Sequence, residues 1–354
     1  VLVFIMAVLP LSNEHSMHMM RAEMPGPTVG KLVPRTRDTA LWLYVIYLGL
    51  TVLEAVFLLC GGMPLFDSIC HSFSTIATGG FSTKNLSLAY YMNPAIHYTV
   101  AVFMLLSGIN FGLIIMLFRR KPQRLIHDEE THWYLGAVAV ATLVLTTGLM
   151  VSTLQHTVDV PLTAQLFFAD LEHSFRDAFF TTVATITSSG FAICDYMQWA
   201  PFLWVVVFFL MLPGASSGST SGGIKWVRIA IFVKSGFIEF KRRIHPNAIV
   251  PVKINNKPVT QQTTNNVMAF MMFFVLILAL TTLIFCALGV DFDESIGAAV
   301  AAIGNIGPGI GQYGPAGTYA FFPTIGKWVM TIVMLIGRLE IFTVLLLFTK
   351  ALWK

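Results

Sequence analysis

Apolar positions run along this chain in unbroken blocks, without the helical or strand-like alternation of a water-soluble domain. Six blocks lie at about 40–60, 96–118, 133–155, 200–235, 264–289 and 323–349. Each is near or above the ~20 residues that a helix needs to cross a hydrocarbon core, so the pattern predicts six membrane-crossing segments. Val1 to Leu11 is apolar but too short to span. It has no initiator Met and no basic stretch ahead of it, which favours the end of a truncated helix over a signal peptide. One block contradicts itself: Leu212-Pro213-Gly214-Ala215-Ser216-Ser217-Gly218-Ser219-Thr220-Ser221-Gly222-Gly223 falls inside 200–235. Pro and Gly in a helix interior cost ~3 and ~1 kcal/mol each, so the helix is expected to break there.

A second pattern repeats at long range. An acidic residue opens a short apolar helix, and thirteen positions later a glycine closes a turn of small or hydroxyl-bearing residues. The copies run from Asp67 to Thr78-Gly79-Gly80-Phe81, from Asp177 to Ser188-Ser189-Gly190-Phe191, and from Glu294 to Asn305-Ile306-Gly307-Pro308, spaced by 110 and 117 residues. A long apolar segment precedes and follows each copy, giving a unit of helix, re-entrant helix with loop, and helix. Backbone carbonyls of such loops can replace the water around a bare cation. Non-helical backbone is tolerated at membrane depth only where it lines a cavity or is buried in protein. The C-terminal end of each short helix, partly negative, would point at that cation. The plainer alternative for any single copy is a Gly-rich turn after a core helix.

Composition narrows the class. Hydrophobic residues make up 56% and charged residues 11% of 354 positions, with mean hydropathy +0.74, which excludes a soluble domain. Lys and Arg number 4, 4, 8 and 2 in residues 12–39, 119–131, 225–262 and 350–354, leaving Lys84, Arg176, Lys327 and Arg338 elsewhere. The positive-inside rule makes those four segments cytoplasmic, with all three re-entrant loops entering from outside. The net charge of +4 thus reflects topology, and no nucleic-acid partner is expected. Cys60, Cys70, Cys194 and Cys286 lack metal-ligand spacing and read as packing residues, as do His71, His173 and Asn110.

Several motifs together carry a family resemblance: Ala22-Glu23-Met24-Pro25-Gly26-Pro27, Phe66-Asp67, Ala77 through Ser82, Gly218 through Lys225, Asn305 through Gly309, and Gly337-Arg338-Leu339-Glu340. The chain resembles, over its whole length, the Trk/Ktr/HKT superfamily of potassium transporters, most closely the bacterial Trk-type membrane subunit. The resemblance implies an all-α polytopic membrane protein, with helix/re-entrant-loop/helix units around a pseudo-fourfold pore. Three of four units are present: 1–39 would be the end of a truncated first unit and a linker, followed by units 40–131, 132–262 and 263–354. A longer native protein is therefore expected.

It further implies potassium uptake across the bacterial cytoplasmic membrane through a carbonyl-lined filter, with potassium as substrate and no bound cofactor. The filter would comprise Thr78, Gly79, Gly80, Ser188, Ser189, Gly190, Asn305, Ile306 and Gly307, with the ion at Thr78, Gly79, Ser188, Ser189, Asn305 and Ile306. Ser188 and Ser189 stand where related loops more often carry Thr. Glycine at 80, 190 and 307 favours potassium over sodium; a sodium-permeable relative is the alternative. A gate would combine Gly214, Ser216, Gly218, Gly222 and Gly223 of the interrupted helix with Arg338. That guanidinium stands midway along the last block, where insertion costs ~2.5–3.5 kcal/mol; its alternative role is a structural ion pair, and that of the loop a passive kink. Implied partners are the lipid bilayer, a second copy in a homodimer, and a cytosolic nucleotide-binding ring subunit docked on the connector Val227 to Pro258, which holds Phe240-Lys241-Arg242-Arg243 and a strand-like Ala248 to Val252.

Two enzyme-like patterns overlap the interrupted helix. Gly214-Ala215-Ser216-Ser217-Gly218 matches G-x-S-x-G, but an intramembrane serine hydrolase would need a preceding strand and a His partner. Gly218 to Lys225 lacks the Gly-Lys-Ser/Thr ending of a phosphate-binding loop. Asp67, Asp177 and Glu294 are expected to cap the positive ends of their helices.

Overall fold

The computed structural model describes residues 36–118, 123–156, 164–245, 250–339 and 341–347. Val1 to Leu11, the motif Ala22 to Pro27, and Glu340 lie outside them. The described chain is helical apart from one two-stranded hairpin, as expected for an all-α membrane protein. In order, α1 is Thr36–Cys60, α2 Leu65–Ile76, α3 Pro94–Ser107, α4 Phe111–Phe118, α5 Gln123–Ile126, α6 Glu129–His156, α7 Ala164–Ile186, α8 Pro201–Leu210 and α9 Trp226–Ile244. Strands β1 (Lys253–Ile254) and β2 (Lys257–Pro258) follow, then α10 (Gln261–Ala287), α11 (Phe292–Gly304), α12 (Thr324–Leu339) and α13 (Ile341–Leu347).

Among the described residues, three stretches are long and apolar enough to cross a membrane: Leu41–Cys60, Glu129–Thr153 and Gln261–Ala287, with hydropathy of 2.0–2.7. Only 28–33% of each is buried in the protein, and Val52, Val56, Val140, Leu143, Val275 and Leu283 are exposed. Such faces are stable only against hydrocarbon. α3 and α4 together are long and apolar enough for a fourth but are bent by 96°, where the apolar pattern predicted a single span over 96–118. Asn110 makes the bend, its Oδ1 accepting the Gly112 N–H at 2.8 Å and so starting α4 as a new helix. Asn110 is thus a capping residue, correcting the packing role expected for it.

The block 200–235 breaks where Pro and Gly cluster. α8 has 10 residues with Pro at its first position, residues 211–225 are irregular, and the helix resumes at Trp226. It then continues to Ile244, so most of the expected connector 227–258 is helix. Its last residues, 253–258, form the hairpin, whose turn residues Asn255 and Asn256 both have positive φ (49° and 60°), the geometry that suits a two-residue turn. The strand-like reading of Ala248 to Val252 does not hold for 250–252, which precede β1; 248 and 249 lie outside the described residues.

At 12 and 13 residues, α2 and α11 would reach only about 20 Å, too short to cross. α2 packs on α1, and α11 on α10 and α12. α7 differs, with 23 residues, so Asp177 sits within it and does not open it. A buried cluster of Leu58, Met104, Tyr134, Phe180 and Ile186 joins α1, α3, α6 and α7.

Candidate functional site

The three turns after α2, α7 and α11 have one backbone geometry. Thr78, Ser188 and Asn305 all adopt left-handed φ, at 52°, 55° and 54°, and Gly80, Gly190 and Gly307 are again positive at 67°, 74° and 106°. The intervening residue folds back identically: Gly79 N–H donates to Ser74 O (2.7 Å), Ser189 N–H to Ala184 O (2.9 Å), and Ile306 N–H to Ala301 O (3.0 Å). Each turn therefore uses up the last free carbonyls of its helix. A left-handed Thr, Ser or Asn costs ~1–2 kcal/mol per residue, which three copies would not share by chance.

These turns also touch in sequence order. A Cβ added at Gly80 would fall 1.8 Å from Ser189 O, and one at Gly190 would fall 1.9 Å from Ile306 O. Thr78, Gly79, Gly80, Ser188, Ser189, Gly190, Asn305, Ile306 and Gly307 thus form one neighbourhood of close-packed main chain. At Gly307 an added Cβ would meet nothing within 4 Å among the described residues.

The expected caps prove to be clamps. No side chain caps α2 or α11. Asp67 accepts from Tyr91 OH (2.7 Å) and Thr83 Oγ1 (2.7 Å) and pairs with Lys84 at 3.2 Å, and Glu294 accepts from Gln312 N–H at 3.2 Å. Both acids tie the returning chain to the short helix. Asp177 instead faces His173, at 3.4 Å on its own helix. Tyr91 and then Thr83 hold the Asp67 carboxyl down at about 2. This clamp is therefore fully present above the ordinary carboxylate range, and it is lost only as pH falls through that low value. His71 is wholly buried, between Asp67 O (2.7 Å) and Ser82 Oγ (2.9 Å), which is a packing role.

The irregular segment 211–225 lies against the same turns. Thr220 Oγ1 donates to Ile76 O at 3.0 Å, and Thr220 O accepts both Thr78 Oγ1 (2.9 Å) and Arg338 Nη1 (2.7 Å). Gly222 packs so near Gly304 that a Cβ would sit 2.4 Å from its carbonyl oxygen, and Gly214 packs likewise on Gly222 O, at 1.9 Å. Gly218 and Gly223 have φ of 73° and 67°. Ser216 N–H donates to Gly108 O (3.0 Å), while Gly218 O accepts from Phe111 N–H (3.2 Å), so the α3–α4 bend receives the segment. The proposed gate residues thus meet at one place. Ser216 Oγ is buried with no hydrogen-bond partner among the described residues, so none of them stands against it as the base that the G-x-S-x-G match would need.

The sequence alone missed two groups. Lys225, read as topological charge and as the end of the motif Gly218 through Lys225 but given no partner, is 4% exposed and its Nζ donates to Ser221 O at 2.6 Å. Glu130, which no motif singled out, is 6% exposed and accepts from Ser217. The run Asp128-Glu129-Glu130 at the start of an apolar span was the available signal.

Comparison with known proteins identifies the family and the fold. The family model described as "TrkH: Cation transport protein" matches residues 1–354. The chain belongs to the TrkH family. It is 36% identical over 356 residues to the Trk system potassium uptake protein TrkH of Salmonella typhimurium, covering 100% of this chain and 71% of the relative. The Trk system potassium uptake protein TrkG of Escherichia coli is 33% identical, with 100% and 70% covered. The crystal structure of the potassium transporter TrkH from Vibrio parahaemolyticus superposes with a TM-score of 0.84 at 31% identity, over 100% of this chain and 70% of that one. Membership makes the chain a membrane transport protein, not an enzyme.

Proposed function

We propose that this chain conducts potassium into bacteria across the cytoplasmic membrane, through a pathway lined by the three turns. The observation that carries the reading is the ordered contact of Gly80 with Ser189 O and of Gly190 with Ile306 O, on turns of one shared backbone geometry. Carbonyls of Thr78, Gly79, Ser188, Ser189, Asn305 and Ile306 would replace the ion's water, with one turn from each of the units 40–131, 132–262 and 263–354. Glycine at 80 and 190 is required because any side chain would strike the neighbouring carbonyl.

Beneath the turns, residues 214–223 would obstruct the path and Arg338 would repel the ion. At 4 Å, with an effective dielectric near 20, that repulsion amounts to ~4 kcal/mol. The basic end of α9 and the hairpin would dock a cytosolic nucleotide-binding subunit. Charge reversal at Lys241, Arg242 and Arg243 should then weaken its co-purification, and equal retention after a salt wash would remove that role.

The test of the function is cation uptake by the intact protein in potassium-starved cells, with rubidium and sodium compared. Uptake of rubidium well above sodium supports the reading. Equal uptake favours the sodium-permeable alternative, and absence of both removes it.

A further inference from the structure

Glu130 stands in the first turn of α6, buried, and its carboxylate collects three donors from the far side of the interrupted helix. Ser217 N–H lies 2.5 Å and Ser217 Oγ 2.6 Å from it, and Val227 N–H lies 3.2 Å away. Ser217 lies in the middle of the irregular segment and Val227 in the first turn of α9, so one side chain ties the break to the helix that follows it. Losing a buried acceptor that serves several donors leaves those donors unsatisfied, which costs more than one hydrogen bond contributes. No other side chain among the hydrogen bonds described above takes two donors from one residue of this segment.

The two residues before Glu130 face the opposite way, to the hairpin. Asp128 Oδ1 accepts from Asn255 Nδ2 (2.9 Å), Glu129 Oε2 accepts from Asn255 N–H (3.1 Å), and Glu129 N–H donates to Asn255 Oδ1 (2.7 Å). Glu129 also pairs with Lys234 of α9, and Asp128 Oδ2 accepts from Thr131 N–H at 2.9 Å, fixing the start of α6. Three consecutive acids therefore hold the cytoplasmic hairpin on one side and the intramembrane segment on the other. Adjacent residues of a helical turn have no soft joint between them, so the hairpin cannot shift without carrying the Glu130 carboxylate along.

We infer that Glu130 is the positioning residue that keeps segment 211–225 in its obstructing place, and that Asn255, held by Asp128 and Glu129, makes the hairpin the handle by which that hold is released. The consequence for flux rests on the gate reading above; the hold itself does not.

The experiment uses the intact protein in proteoliposomes, with Cys60, Cys70, Cys194 and Cys286 replaced by Ser. A single reporter, Ser219→Cys, is titrated with a water-soluble methanethiosulfonate ethylammonium reagent while rubidium influx is measured on the same sample. Glu130→Gln, which removes one acceptor oxygen, should speed modification of residue 219 by about tenfold. Ser217→Ala should speed it less, and Asn255→Ala by about two- to threefold. The reporter Asn85→Cys, on the opposite side of the protein, should not change, and rubidium influx should rise in parallel with the rate at 219.

An unchanged rate at 219 in Glu130→Gln overturns the inference whatever the flux, and so does an equal acceleration at residue 85, which would mean general loosening. Faster modification at 219 with unchanged influx keeps the hold and overturns the gate reading instead. An unchanged rate in Asn255→Ala overturns the hairpin's part. If Glu130→Gln does not reach the membrane, Ser217→Ala, which leaves the carboxylate in place, decides the first point alone.

Discussion

The three turns and the interrupted helix lie in contact, yet they are held by different means. Each turn is fixed by its own main chain, with a left-handed residue and a fold-back hydrogen bond to the preceding helix, and at Gly80 and Gly190 the glycine packs on the next turn's carbonyl. Segment 211–225 has main-chain contacts too, but it is held in addition by side chains, with Glu130 on Ser217, Arg338 and Thr78 on the Thr220 carbonyl, and Thr220 Oγ1 on Ile76 O. Main-chain closure leaves one arrangement available. Side-chain bonds of ~0.5–1.5 kcal/mol each can be exchanged one at a time. On the function proposed above, the fixed structure would discriminate between ions and the exchangeable one would admit or block them.

The contrast is broken most severely at the glycines. Gly190→Ser and Gly80→Ser should each cut discrimination of potassium over sodium by about tenfold or more, since the new Cβ meets a carbonyl oxygen at 1.9 or 1.8 Å and a displacement costing ~1.4 kcal/mol already changes an equilibrium tenfold. Ion-selective uptake assays with both cations measure it. Gly307→Ser meets open space and bears only the strain of its positive φ, ~1–2 kcal/mol, so a smaller loss is expected there. Reversing that order would mean that backbone strain, not packing between turns, sets the selectivity.

The movable region should respond in the other direction. Deleting Ser216 to Ser221, or Arg338→Ala, should raise rubidium flux into proteoliposomes severalfold without changing the ratio of potassium to sodium, because the barrier falls while the turns stay as they are. A changed ratio would show that the two regions are not separable. No increase in either variant would return Arg338 to a structural contact and the segment to a passive kink. The smallest effect is expected at the clamp: Tyr91→Phe removes one of the bonds to Asp67 and should lower thermal stability by ~1 kcal/mol with selectivity kept. Lost selectivity in that variant would join the clamp to the filter.

How much of this was legible in the sequence follows from how local each feature is. The spans near 40–60, 133–155 and 264–289 emerge at 41–60, 129–153 and 261–287, because uniform hydropathy needs no partner to be read. The break after Leu210 was visible in its Pro and Gly, whereas the bend at Asn110 was hidden, since a single amide in an apolar run reads equally well as packing. The turns were legible through their thirteen-residue interval. Their contact with each other was not, because it joins residues more than a hundred positions apart. Asp67 was misjudged as a cap for the same reason: its partners Thr83 and Tyr91 come from the returning loop. Glu130 finds Ser217 87 positions away, and no pattern of spacing announces such a bond.

The central claim is that potassium is selected by main chain packed between neighbouring turns, and Gly190, with an added Cβ 1.9 Å from Ile306 O, is its most exposed point. The decisive measurement is the ratio of rubidium to sodium influx through the intact protein and its Gly190→Ser variant, reconstituted at equal amount and orientation. The account predicts a high ratio in the parent and a ratio near one in the variant, with total flux retained. An unchanged ratio in a folded, conducting variant would contradict it.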